Sequence, residues 1–252
     1  SRLGHTGQAY YCTQWFPKPA VFDATGWHAM PYLTEGEFYS EFGTFDVHIT
    51  VPANYVIGAT GLLVDGAAEE AWMDSLAKQP LSIVMSEGGA AFPPSSKDMK
   101  TLHFRQDRVH DFAWFADKRF EVRRSSVTLP ASGRTVTTQV LFTPRNGALW
   151  EKAVEYVNES VRLYSQWVGD YPYDRATAVD GTISAGGGME YPMITIIGNP
   201  GDAMGLDNVI AHEVGHNWFY GILGSNKRDH AWMDEGMNSF VELRYMRLRH
   251  RK

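Results

Sequence analysis

Apolar and polar positions alternate through much of the first half of the chain. Phe38 to Val51 (FYSEFGTFDVHITV) is rich in aromatic and β-branched residues with a period of two, which predicts a half-buried strand. Pro52-Ala53-Asn54 turns it into a second strand over Tyr55 to Gly61. Residues 65–98 mix charges, glycines and a Pro-Pro pair, and read as an irregular connection with one short helix. Strands are expected again at Thr101 to Gln106, Phe120 to Leu129 and Val136 to Phe142.

After Pro144 the period changes. Trp150, Val154, Val157, Val161, Tyr164 and Val168 recur at spacings of three and four, the apolar stripe of an amphipathic helix. Gly169 and Pro172 supply its stop. Thr177 to Ile183 and Met193 to Ile197 read as strands around a Gly-rich bend. Further helices follow over Leu206 to Ile222 and from Glu235 to the end. The expected class is α+β, with a β-rich part at 1–124, a helix-bearing part at 125–252, and no internal repeat.

Composition narrows the function. A formal charge of −6 argues against nucleic acid as the main partner, because phosphate binding needs clustered cations. The basic run Arg244 to Lys252 reads as the solvated face of the last helix. No window is long and apolar enough for a membrane span. Cys12, the only cysteine, excludes an intrachain disulfide and a thiolate metal site, and fits the cytosol and the periplasm alike. The chain lacks an initial Met and stops inside a helical pattern, so both ends are expected to be cut and both parts incomplete.

The stretch Ala211-His212-Glu213-Val214-Gly215-His216 carries the chemistry. Residues four apart share a helix face, so both imidazoles can aim at one ion without bending the backbone. Glu213 is placed to reach a zinc-bound water, whose pKa falls toward ~7, and to take its proton. With 9 His and 14 Glu in 252 residues, this H-E-x-x-H pattern arises by independent placement about 0.02 times per chain. Glu235, on the next predicted helix, is the candidate third ligand. Three protein ligands and an open position make a catalytic zinc site rather than a structural one. Glu242, seven residues on, shares the face of Glu235 and is placed to accept the second N–H of a ligand histidine. The other histidines (His5, His28, His48, His103, His110, His230, His250) show no ligand spacing and are expected in core or surface roles.

These segments resemble the aminopeptidase N and leukotriene hydrolase group of zinc peptidases, whose catalytic domain is thermolysin-like. There H-E-x-x-H is followed by Glu after eighteen residues, and here 235 − 216 = 19 leaves eighteen between. Trp232-Met-Asp-Glu-Gly236 and Gly187-Gly-Met-Glu-Tyr191 match further family segments. Val109-His-Asp-Phe-Ala-Trp114 resembles the end of the family's saddle-like β domain, and Thr13-Gln14-Trp15-Phe16 an earlier strand near its active site. The resemblance implies one zinc on His212, His216 and Glu235, with Glu213 as general base. It implies that Glu190 holds the α-amino group of a peptide, the backbone around Gly187, Gly188 and Met189 pairs with it as an added strand, and Gln14 lies beside it. Tyr191 stands where the family has Asn, and Phe16 where many members place a Glu or Gln on the amine. The family's transition-state tyrosine lies several dozen residues past the third ligand, whereas 252 − 235 = 17 residues remain here and Tyr245 has the wrong helix position. The implied activity is removal of N-terminal residues from peptides. Endopeptidase or epoxide hydrolase chemistry on the same zinc, or a metal-binding fragment without activity, are the alternatives.

Overall fold

The alternating segments build three antiparallel sheets in the first half of the chain. The structure, a computed structural model, describes residues 3–33, 36, 38–82, 91–183, 187–198 and 200–250. Parts of the 65–98 connection and of the Gly-rich bend, and the last two residues of the basic run, lie outside them. Two short hairpins come first, β1 (Gly4–Thr6) with β2 (Ala9–Cys12) and β3 (Val21–Asp23) with β4 (Gly26–His28). Then follow β5 (Gly43–Pro52), β6 (Val56–Ala59), β7 (Leu62–Leu63), helix α1 (Ala67–Ala77), β8 (Met99–Val109) and β9 (Trp114–Asp117). They pair in the orders β1-β2-β9-β6 and β5-β8-β7. The first alternating strand starts at Gly43 rather than Phe38, because Gly43 already faces Val109, the last residue of its partner β8. Thr13 to Phe16, expected as a strand, instead form a bend after β2, where Gln14 takes a φ of +54°.

The second half is one mixed sheet with helices against it. Its elements are β10 (Glu121–Thr128), β11 (Thr135–Phe142), α2 (Gly147–Trp150), α3 (Ala153–Trp167), β12 (Arg175–Asp180), β13 (Gly188–Tyr191), β14 (Ile194–Ile197), α4 (Ala203–Phe219) and α5 (Glu235–Arg249). The strand order is β10-β11-β12-β14-β13, with β12 parallel to both its neighbours and β13 at the edge. The stripe Val157, Val161 and Tyr164 is buried, but the helix is interrupted between Trp150 and Ala153, and Val168 is exposed. Asp202 caps α4 by accepting from the Gly205 N–H at 2.7 Å.

Strand alternation gives the mixed sheet two buried faces. Val140 and Ala178 turn toward α3 and α4, joining Val157, Val161, Ile210 and Val214. Their chain neighbours Leu141 and Val179 turn the other way, onto Val56, Met73 and Phe115 from the first half. One sheet is therefore cored from both sides, and the two halves share a core. Strand β10 straddles the expected division at 124/125 and pairs within the mixed sheet. Among the described residues, no helix is long and apolar enough to cross a membrane.

Candidate active site

Helix α4 places His212 and His216 one turn apart, with ring centroids 4.7 Å apart and Nε2 atoms separated by 3.0 Å. Glu235, the first residue of α5, brings Oε2 to 3.3 Å from His212 Nε2 and 3.7 Å from His216 Nε2. The three donor atoms lie within 4.8 Å of one another. Each imidazole is held from behind by a carboxylate: His212 Nδ1 lies 2.8 Å from Glu242 Oε2, and His216 Nδ1 lies 2.5 Å from Asp234 Oδ1. These contacts turn both Nε2 atoms toward the shared point. Asp234 was not singled out from the sequence, although it directly precedes Glu235.

Two imidazoles and one carboxylate suit zinc better than calcium or magnesium, which prefer oxygen alone. The surrounding charge agrees. Glu190, Glu213, Asp234, Glu235 and Glu242 crowd the histidines, and buried Lys227 is a cation among them. Burial would lower the His212 pKa, but its hydrogen bonds to Glu235 and Glu242 and the charge of Glu213 raise it to about 11. His216 rises to about 9, the charge of Glu190 and the Asp234 contact outweighing burial.

Glu213 is not one of the three donors; its side chain reaches the sheet edge, close enough for its charge to act on both histidines and Glu235. Its side chain lies so close to Gly188 that a Cβ at 188 would come 2.4 Å from Oε1. Its Oε2 is buried and meets no hydrogen-bond partner among the described residues. Burial, then the charge of Glu190, push its pKa up to about 8. Gly188 and Glu190 share the face of β13 toward this site, while Met189 and Tyr191 turn into the core on the other side. Met189 therefore offers the cleft only its backbone.

Glu190 is buried and bonded to Lys227 Nζ. Burial alone would raise its pKa, but Lys227 and His216 pull it below the usual carboxylate range. Lys227 also lies 3.2 Å from Asp234 Oδ2 and 4.2 Å from the centre of the Tyr220 ring. Sequence reading missed Lys227, which sits between α4 and α5 without any periodic signal. Gln14 lies on the bend after β2, against a buried carboxylate. Its Nε2 donates to Asp111 Oδ2 at 2.6 Å, as does Lys18 Nζ at 2.6 Å. Phe16 packs on Phe45 and Trp15. Tyr245 donates to Asp207 Oδ1 at 2.5 Å, fastening α5 to α4 away from the donor group.

Two of the remaining histidines lie at the surface, in keeping with the expected core or surface roles, and close to each other. His48 and His103 face each other across β5 and β8, with rings stacked at 4.1 Å, and Asp46 joins them in a second, largely exposed group of potential donors. Their pairing comes from strand register, which spacing along one segment does not reveal.

No family model matches the chain. Its fold is similar to the crystal structure of Legionella pneumophila aminopeptidase A in complex with aspartic acid, with TM-score 0.63 and 13% identity over 98% of this chain. It is also similar to the M1 zinc metallopeptidase E323A mutant from Deinococcus radiodurans, with TM-score 0.52 and 21% identity over 81% of this chain. The chain spans 26% of the length of the first and 41% of the second. The shared feature at these identities is the α+β architecture.

Proposed function

We propose that this chain carries the centre of a zinc-dependent peptidase, with His212, His216 and Glu235 as ligands and Glu213 as general base. The observation that supports it most directly is the turn of both Nε2 atoms and the Glu235 carboxylate toward one point, with Glu213 on the adjoining wall. When bound, zinc would supply Lewis acidity toward water and the scissile carbonyl. The chain's own residues do the rest. Glu242 and Asp234 hold each imidazole at Nδ1, so that with the ion bound both rings would carry their proton there and turn Nε2 inward. Glu213 takes a proton from the attacking water and returns it to the leaving nitrogen. The edge strand β13 offers backbone groups for a peptide to join as a further strand, and Gly188 lets it approach. The division into a saddle-like β part at 1–124 and a thermolysin-like part at 125–252 belongs to the same proposal.

The reading has two forms, separated by what Glu190 does. In the aminopeptidase form that the resemblance implies, Glu190 receives the substrate's α-ammonium group. In the other, peptides are cut without reference to a free amine, and the contact between Lys227 and Glu190 favours it. Both forms share one test. Chelation should abolish hydrolysis of a mixed peptide library followed by mass spectrometry, and zinc should restore it. Hydrolysis untouched by chelation would remove the metal from the mechanism.

The support from Glu242 is testable separately. Its replacement by glutamine keeps the shape but weakens the acceptor behind His212, so zinc affinity is expected to fall about 10–100-fold. Competition with a chromophoric chelator measures this, and unchanged affinity would make Glu242 a bystander on the helix.

A further inference from the structure

The amine end of this cleft is already furnished with ammonium groups from the chain itself. Lys227 Nζ is bonded to Glu190, lies 3.2 Å from Asp234 Oδ2, and rests over the Tyr220 ring, with its side chain 1% exposed. Two carboxylates and an aromatic face make the enclosure that would receive a substrate's α-ammonium. Asp111, the neighbouring buried carboxylate, is taken in the same way by Lys18 and Gln14, both at 2.6 Å. The two lysines are close enough for the charge of Lys227 to depress the Lys18 pKa, after burial and against the pull of Asp111. Phe16 adds an apolar surface there. An arriving ammonium would meet two like charges and three committed carboxylates, Glu190, Asp234 and Asp111. Displacing either lysine would strand a cation in a buried setting, which is strongly unfavourable.

We propose that Lys227 stands in for the substrate's α-ammonium on Glu190, so that the cleft selects peptides presenting no free amine there: N-acylated peptides or internal segments of a longer chain. This rests on the peptidase reading for what is cut, but not for what is bound. Gln14 and Lys18, which hold Asp111, also line a cavity of about 510 Å³ with Phe16, Tyr39 and Arg228, the residue after Lys227; on this proposal it would take the acyl group or the preceding residues. The contribution of Lys227 is to specificity; it takes no part in the proton transfers.

The test compares leucinamide with N-acetyl-leucinamide by calorimetric titration of the zinc-loaded protein, alongside cleavage of matched free and N-acetylated peptides. The wild type is expected to favour the acetylated member of each pair by about tenfold or more, the size of one charge-assisted contact withheld. Lys227→Met should move the binding ratio about 10–100-fold toward the free amine, and Glu190→Gln added to it should cancel the gain. Glu190→Gln alone leaves Lys227 its Asp234 partner, so it keeps the question answerable should Lys227→Met fail to fold. It should not weaken leucinamide selectively. A wild type that favours the free amine, a selective loss of leucinamide in Glu190→Gln, or no shift of the ratio in Lys227→Met would overturn the proposal. Failure to cut either peptide while the binding ratio still shifts would instead remove the peptidase reading and leave the role of Lys227 standing.

Discussion

Replacement of Glu213 by glutamine is expected to leave zinc bound and to lower turnover by about 10²–10⁴-fold, the usual cost of losing a general base. Glutamine keeps the size of the side chain, so the contact with Gly188 and the packing of α4 should survive. Glu213 stands outside the three-donor group, so the ion should remain on His212, His216 and Glu235. What disappears is a carboxylate whose pKa burial and the charge of Glu190 raise to about 8, with one oxygen that meets no hydrogen-bond partner among the described residues. The matched control is His216→Ala, which removes a donor and should cost most of the one equivalent of metal at this centre. Metal analysis after dialysis, paired with initial rates, separates the two variants. Metal lost together with activity in Glu213→Gln would make Glu213 a ligand or a structural group.

The contrast between those two variants follows what a sequence can encode locally. His212, His216 and Glu213 are legible because helix periodicity alone fixes their relative positions. Glu242 is legible for the same reason once Glu235 opens a helix, and it reaches His212 as that spacing implies. Lys227 is not, because it lies in irregular chain whose path is set by what α4 and α5 leave between them. Gln14 is expected near the cleft from the resemblance alone, and its side chain donates to Asp111, the carboxylate that Lys18 also holds. The strands β1 to β4 are too short for alternation to show, and only pairing defines them. His48 and His103 lie 55 residues apart and meet through register. Local periodicity thus places the three candidate ligands and Glu213, while non-local pairing sets the charges around them.

Gly215→Ala is expected to lower stability and zinc affinity together, against the trend for that substitution in a helix. Glycine inside a helix costs about 1 kcal/mol relative to alanine, so propensity alone predicts a more stable protein. Packing opposes it. A Cβ at 215 would lie 2.0 Å from Asn238 Oδ1 and 2.6 Å from the Tyr164 ring. Neither neighbour is free to yield. Asn238 is fully buried, its Nδ2 donating to His212 O at 2.7 Å and its Oδ1 accepting from Tyr164 OH at 3.3 Å. Tyr164 is fully buried against Trp218, with ring centroids 5.3 Å apart. Overpacking of this kind costs about 1–3 kcal/mol or more, and a contact this short belongs at the upper end, so the net sign is destabilising. Set against the gain of about 1 kcal/mol in propensity, a net loss near 2 kcal/mol corresponds to a fall in Tm of roughly 4–8 °C for a chain of this size. The same displacement pushes α5 from α4 and carries Glu235 away from His212 and His216, which is why metal affinity should fall with it. Gly236→Ala is the control on α5, because its Cβ would meet nothing nearer than Trp232 Cβ at 3.8 Å. Thermal melts of the metal-free proteins and zinc competition titrations measure both effects. A Gly215→Ala protein as stable as the wild type, with undiminished zinc affinity, would show that α4 and α5 do not fix the ligand geometry through this contact.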